Sequence, residues 1–322
     1  MSNNTYLVAD IGGTNARFAI AGTDEPGYLH ELTLQCKDYV SIQLAISAYL
    51  EQTCLSTPER ICIAAAGPVI ANTIHLTNNH WHIKADELKT HFAAREVHLL
   101  NDFAAIACSL TSLQPTHCEM IGSSNSPDLN SEQFHIGVMG PGTGLGAATL
   151  LRRYQHTMPI VTEAGHSGFA PETQLQQSVW NILQQRFGRV SDERILSGAG
   201  IENVYSALSE LHQEPAIALS AAEIFAQHET NTIAADTIKL FFEVLGQTAG
   251  NFVLSTGAFD GLYIAGGIAQ RYPGLLANSN FRAAFENKGR HRPIMENVPT
   301  ILVRHPNPGL LGAAAVASHQ VS

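Results

Sequence analysis

Val8-Ala9-Asp10-Ile11-Gly12-Gly13-Thr14-Asn15-Ala16-Arg17 sets the architecture of the chain. An apolar run from Tyr6 to Ile11 carries one carboxylate and stops at two glycines, and Asn15 to Ile20 then resumes an extended pattern. The pattern reads as strand, glycine turn, strand. It returns at Ile136-Gly137-Val138-Met139, followed by Gly140-Pro141-Gly142-Thr143-Gly144-Leu145-Gly146 and by Ala147 to Leu151. A third apolar strand, Gly261 to Ala265, ends in Gly266-Gly267. Glycine lets backbone N–H groups approach an anion with no Cβ in the way, and permits the positive φ of an anion nest. One such turn is equally well a plain hairpin. Three of them, one beginning with an acid, point toward a nucleotide.

Between the turns the pattern alternates. A helix fits Ser41 to about Leu50, a buried strand Ile61 to Ala65, and a short strand His98-Leu99-Leu100 that delivers Asn101-Asp102 to a helix over Phe103 to Cys108. Residues 110–132, rich in Ser, Thr, Pro, Asn and Asp, read as loop or linker. Helices follow at about Leu175–Phe187, Asp236–Leu254 and Pro308–Ser318. Strands interleaved with helices mean an α/β architecture, and the recurring strand-turn-strand unit suggests two related halves.

Two familiar phosphate motifs fail. No glycine run carries the Lys of a P-loop. Gly142-x-Gly144-x-x-Ala147, with Glu163 downstream, partly matches a dinucleotide fingerprint, but the residues after it read as hairpin strands instead of the required helix.

Composition narrows the field. The chain has 322 residues, 45% hydrophobic and 14% charged, with 26 Gly. At roughly 100–200 residues per domain, two domains are expected, each with its own core. Lys and Arg number 18 against 28 Asp and Glu, a net charge of −10, which disfavours nucleic acid and anionic membrane as partners. No apolar run approaches the roughly 20 residues of a membrane span, and the first residues lack a signal-peptide pattern. The five cysteines show no C-x-x-C spacing and read as reduced, mostly core thiols in a cytoplasmic protein.

Taken together, the motifs resemble those of sugar kinases of the actin-like ATPase superfamily. Val8 to Arg17 resembles the first phosphate motif, Gly140 to Gly146 the second, and Ile264-Ala265-Gly266-Gly267-Ile268 the adenosine motif. Within that superfamily the chain is most similar to bacterial ATP-dependent glucokinases. Leu100-Asn101-Asp102-Phe103, Glu163-Ala164-Gly165-His166 with Phe169-Ala170-Pro171, Ser191 to Gly198, Phe281 to Glu286 and Asn307 to Gly312 extend the match in family order. The repressor/kinase group of sugar kinases places a cysteine-rich zinc site after its glucose-contacting His. This chain has no Cys beyond Cys118.

The resemblance implies a two-domain actin-like (ribonuclease H-like) sugar kinase fold with an active-site cleft between the domains. A small domain would span 1–110 plus 303–322 and a large domain 111–302. It implies ATP and glucose as substrates, Mg²⁺, and a homodimer. Asp102 would be the general base; a helix N-cap is the plain alternative for an Asp at that position. Asn101, Asp102, Glu163, His166 and Glu193 would hold the sugar. Glu193 can equally be an acid in the first turn of a helix, and His166 one of 15 His. Ala9, Asp10, Ile11, Gly12, Gly13, Thr14, Gly142, Thr143, Gly144, Gly266 and Gly267 would bind ATP. Asp10 would act through Mg²⁺, or else is a structural strand-end carboxylate. His75, His80 and His82 read as cleft-lining loop residues near Thr77-Asn78-Asn79, without metal spacing. A kinase of another hexose or of an N-acetylated one, and a non-catalytic sugar-binding regulator, are the rival functions.

Overall fold

The computed structural model describes residues 5–22, 27–76, 79–122, 125–154, 156–214 and 217–318. Two mixed sheets organise it. The first has the order Leu29–Gln35, Asn15–Gly22, Thr5–Ile11, Arg60–Ala65, Glu96–Asn101. The second runs His156–Thr162, Leu145–Arg153, Gln133–Pro141, Gly261–Ile264, Thr300–Val303, Cys118–Met120. The first five strands of each follow one plan: an antiparallel meander of three, then two parallel strands reached by crossovers. The suspected repeat is therefore present in topology.

Strand Thr5–Ile11 shows how the first sheet buries both faces. Its side chains alternate: Leu7, Ala9 and Ile11 join Ile42, Ala45, Ile46 and Tyr49 of the helix Ile42–Thr53. Tyr6 and Val8 face Leu310, Ala313, Ala314 and Ala317 of the C-terminal helix Pro308–Ala317. On the second sheet, Met139, Leu262 and Ile264 point into the largest core, around the helices Gly198–Leu211 and Thr232–Thr256. Ile136, Val138 and Tyr263 point the other way, onto Ala107, Cys108 and Ala315. Two short helices, Asp102–Ser109 and Pro308–Ala317, thus lie between the two sheets. That is why the C-terminal helix is apolar on every side, as a helix buried all round must be.

These helices meet at close quarters. A Cβ at Gly312 would overlap the Ala105 carbonyl, and one at Gly146 would lie within the Phe103 ring, so both contacts require glycine.

The structure corrects several expectations. Residues 110–132 contain the strand Cys118–Met120, which pairs with Thr300–Val303 at the edge of the second sheet; Ser123 and Ser124 lie outside the described residues. His75 and His82 are opposed on neighbouring strands, Thr73–His75 and His82–Lys84, with their Nδ1 atoms 2.8 Å apart. They are strand residues, because a turn at Ala71-Asn72 and an in-register Ile74–Ile83 pair draw the segment into a small sheet. Thr77 and Asn78 lie outside the described residues. All five cysteines are free, with Cys36, Cys62 and Cys108 buried, Cys118 intermediate and Cys54 exposed. No described helix is long and apolar enough to cross a membrane.

Candidate active site

Asp10 stands at the end of strand Thr5–Ile11, directly across the hairpin from Arg17, and this register sets their 3.5 Å contact. Burial pushes its carboxyl above the ordinary Asp range, against the opposing pull of Arg17. The turn Gly12-Gly13-Thr14 follows. Gly12 donates to the Asn15 carbonyl at 2.9 Å, and the Gly12 carbonyl accepts from the Asn79 amide at 3.4 Å. Ala9 and Ile11 point into the core, so they shape the strand under the turn and present no side chain there. Beside Asp10 lies the start of the C-terminal helix: a Cβ at Gly309 would come within 3.0 Å of the carboxylate. A helix N-terminus favours a neighbouring anion.

Asn101 and Asp102 end strand Glu96–Asn101 and begin helix Asp102–Ser109. The cap is Asn101, whose side-chain oxygen accepts from Phe103 and Ala104 N–H at 2.9 and 3.2 Å while its amide donates to the Gly67 carbonyl at 3.2 Å. Asp102 is the first helical residue. Its Oδ1 accepts from Phe103 N–H at 2.9 Å and its Oδ2 has no hydrogen-bond partner among the described residues. Because Asn101 fills the capping position, Asp102 retains an oxygen for chemistry. Burial first, then the charges of Asp10 and Glu163, push its carboxyl up to about 6, against the backbone N–H bond that lowers it. These three carboxylates therefore share one electrostatic site.

The remaining predicted residues sit on the second sheet's side. The turn Gly142-Thr143-Gly144 links Gln133–Pro141 to Leu145–Arg153, closed by a 2.8 Å bond from Gly142 N–H to the Gly144 carbonyl. Glu193 lies in the turn Asp192–Arg194, and its carboxylate accepts from Leu145 N–H at 2.9 Å. A Cβ at Gly144 would collide with that carboxylate. Glu193 thus joins the predicted sugar and phosphate elements, a role its short acidic turn gives no hint of. Glu163 precedes and His166 ends the turn Ala164–His166, both exposed, with side chains 4.0 Å apart. That turn leans on the same hairpin, with Gly165 against the Leu145 carbonyl. Gly266 and Gly267 begin the helix Gly267–Arg271, held by a 2.8 Å bond from Ala265 N–H to the Met139 carbonyl.

One expectation about the glycines needs amending. Of the predicted ATP-binding ones, only Gly266, at φ +87°, takes a left-handed φ. In the second turn Gly144 is needed for its missing side chain and not for its backbone freedom.

The match to known proteins agrees with this geometry. The family model described as Glucokinase matches residues 7–320. The chain is also 37% identical over 327 residues to a glucokinase of Hahella chejuensis, covering 99% of each chain. The chain belongs to the glucokinase family. A crystal structure of glucokinase from an Antarctic psychrotroph superposes with a TM-score of 0.89 at 36% identity, over 98% of this chain and 99% of the other. A Balamuthia mandrillaris glucokinase, at 21% identity and a TM-score of 0.78, shares the fold. The architecture is accordingly the two-domain actin-like sugar kinase fold.

Several residues of this glucokinase-family site escaped the sequence reading. Phe103 and Gly146 dock the Asp102 helix on the second sheet, and Gly309 seats Asp10. The spacing Gly309-x-x-Gly312 in an otherwise apolar helix was the available signal. Glu193→Gln is expected to raise KM for both glucose and ATP, because the amide holds Leu145 N–H less strongly than a carboxylate. A change confined to glucose in steady-state kinetics would show that the Leu145 contact plays no part.

Proposed function

We propose that Asp102 takes the proton of the D-glucose 6-hydroxyl as that oxygen attacks the γ-phosphate of ATP, giving glucose 6-phosphate and ADP, the glucokinase reaction. The observation that carries this is the carboxyl of Asp102: positioned by a helix start, relieved of capping by Asn101, and raised to about 6. A base with that affinity is ionised at pH 7–8 and takes a proton more readily than an ordinary carboxylate.

Asn101, Glu163, His166 and Glu193 orient the sugar. They supply fixed acceptors and donors for hydroxyls, and an analogue lacking a hydroxyl leaves them unpaired. The backbone at Gly12, Gly13 and Thr14 receives the β- and γ-phosphates from the first sheet, Gly142 to Gly144 from the second, and Gly266-Gly267 lets adenosine lie against backbone. Closure of the cleft around glucose excludes water, the competing acceptor.

Asp10 suits Mg²⁺. One half-buried carboxylate with a single long cation contact fits an ion that takes one or two carboxylates and otherwise keeps water and substrate phosphate. No group of three or more His, Cys, Asp or Glu gathers among the described residues, so the donor set is not that of a protein-caged metal. When bound, Mg²⁺ offsets charge on the β- and γ-phosphate oxygens. Asp10→Ala is expected to raise the Mg²⁺ concentration giving half-maximal kcat; an unchanged Mg²⁺ titration removes Asp10 from that role.

The same proposal places the small domain at 1–110 with 303–322. Its support is that strand Thr300–Val303 pairs with Cys118–Met120 in the second sheet, so the boundary falls where that strand ends, while the C-terminal helix packs on the first. A cytoplasmic homodimer completes the reading, with light scattering as its check. The decisive experiment is a coupled assay of ADP release over a panel of hexoses and N-acetylated hexoses at fixed ATP. Glucose is expected to give the highest kcat/KM; a faster N-acetylated sugar would replace the substrate, and glucose binding without ADP release would replace the reaction with that of a non-catalytic sugar-binding regulator.

A further inference from the structure

The small sheet that contains Thr73–His75 and His82–Lys84 brings together two imidazoles that the kinase reading does not use. Side chains alternate between the faces of a strand. Ile74, Leu76, Trp81 and Ile83 are buried in the core of the first sheet, which leaves His75 and His82 together on the opposite, exposed face. The two residues stand seven positions apart, a spacing that matches no helical or Cys/His ligand pattern. The hairpin register alone sets one against the other. Their frame is tied down nearby. Trp81 Nε1 donates to the Tyr39 carbonyl at 3.0 Å, and Asn79 accepts from Trp81 N–H at 3.1 Å while donating to the Gly12 carbonyl at 3.4 Å.

The two Nδ1 atoms lie 2.8 Å apart, with the ring planes at 68°. Two imidazole nitrogens face each other in this way when one carries a proton and the other a lone pair. The histidines that contact a carboxylate among the described residues are His98 and His166, so no acid holds either ring of the pair. Two basic nitrogens thus converge on one proton, and a divalent cation that binds neutral imidazole can take its place. Metal–imidazole bonds measure about 2.0–2.1 Å, so nitrogens 2.8 Å apart subtend about 84–89° at the ion. That is the angle between adjacent ligands of a square-planar or octahedral centre, the geometry of Cu²⁺ and Ni²⁺. A tetrahedral Zn²⁺ would need the nitrogens about 3.3–3.4 Å apart. Mg²⁺ prefers oxygen and does not compete.

We propose that His75 and His82 form a two-imidazole site for a divalent transition cation of tetragonal preference, Cu²⁺ or Ni²⁺, distinct from the Mg²⁺ that Asp10 suits. No third His, Cys, Asp or Glu joins them among the described residues, so water completes the coordination. The site uses neither sugar nor nucleotide, and its occupancy does not depend on the kinase reading.

Titration calorimetry of the full chain with Ni²⁺, in excess Mg²⁺, tests this. One Ni²⁺ is expected to bind each chain at the pair and to raise the thermal midpoint, because the unfolded chain does not hold the two rings together. Loss of an outer-shell partner alone costs a metal site about 10–100-fold in affinity, so His75→Gln and His82→Gln are each expected to weaken binding by about tenfold or more. Each is also expected to abolish the Ni²⁺-dependent rise while leaving the metal-free midpoint level, since both rings are exposed. His91→Gln, at an exposed position of the helix Ala85–His91, is the control and is expected to bind as the wild type does. With Cu²⁺ as the probe, electron paramagnetic resonance is expected to show two equatorial nitrogens in the wild type and at most one in each glutamine variant of the pair. A wild type that binds no Ni²⁺ overturns the proposal, as does binding that His75→Gln or His82→Gln leaves unchanged. Fewer than two nitrogens on wild-type Cu²⁺ overturns it as well.

Discussion

Asp102→Asn is expected to lower kcat by about 10²–10⁴-fold, the range for loss of a general base, while its thermal midpoint at pH 8 stays level or rises. The two halves of this expectation share a cause. The Asp102 carboxyl is raised from 3.8 to about 6, first by burial and then by the charges of Asp10 and Glu163. A raised acid binds its proton more tightly folded than unfolded, so its contribution to stability is present below pH 3.8 and is lost as pH rises through about 6. Above that, the ionised form opposes folding and is the form that accepts the proton in the proposed reaction. Asparagine removes the charge and keeps the shape, and the Asn101 cap that starts the helix is untouched.

The same shift sets the pH profile. In the wild type, kcat/KM is expected to fall as pH drops through about 6, where Asp102 takes up its proton. Glu163→Gln removes one of the charges that raise Asp102, so the acid limb should move to lower pH even as KM for glucose increases. An acid limb that stays in place would mean the limb belongs to another group. Near-normal turnover by Asp102→Asn would remove it from the chemistry altogether.

What the sequence made legible is what local pattern controls. Strand Thr5–Ile11, its hairpin partner and the carboxylate at its end follow from alternation and two glycines. The long helix at Thr232–Thr256 announces itself by periodic apolar residues. The helix Gly198–Leu211 does not, because it opens on Gly-Ala-Gly, the weakest of helix starts. A long-range contact explains the residue: Gly200 lies against the Ile195 backbone, where any side chain would clash. Strand Thr300–Val303 carries no local signal for a related reason, being four residues long with its partners 38 or more positions away.

At the site, residue types were readable but division of labour was not. Asn and Asp side by side at a helix start give two candidates for one capping position, and only the hydrogen bonds show that Asn101 takes it. Glu193 reads as an ordinary first-turn acid, because its Leu145 contact spans 48 positions and leaves no local periodicity.

Gly312→Ala is expected to lower both stability and turnover, the reverse of what helix propensity alone dictates. Within a helix, Gly to Ala ordinarily adds about 1 kcal/mol through reduced chain entropy. At Gly312 the new Cβ would overlap the Ala105 carbonyl, and that neighbour is backbone, unable to rotate aside. Helices Pro308–Ala317 and Asp102–Ser109 must then separate between two sheets that both press on them. Overpacking of this kind costs about 1–3 kcal/mol or somewhat more, expected as a fall of roughly 2–6 °C in the thermal midpoint. Turnover falls for a distinct reason. Ala105 lies on the helix that Asp102 begins, and Gly309, which seats Asp10, lies on the other. Separating the helices displaces both carboxylates, and a misplacement of about 1 Å can reduce turnover by about 10²-fold. Gly274→Ala is the control: it also lies in a helix, and its Cβ would meet nothing within 4 Å. There the propensity gain should stand alone, with the midpoint level or higher and kcat unchanged. Equal midpoints for the two variants would mean that the inter-sheet helices yield to a methyl group, and that their packing does not hold the two carboxylates in place.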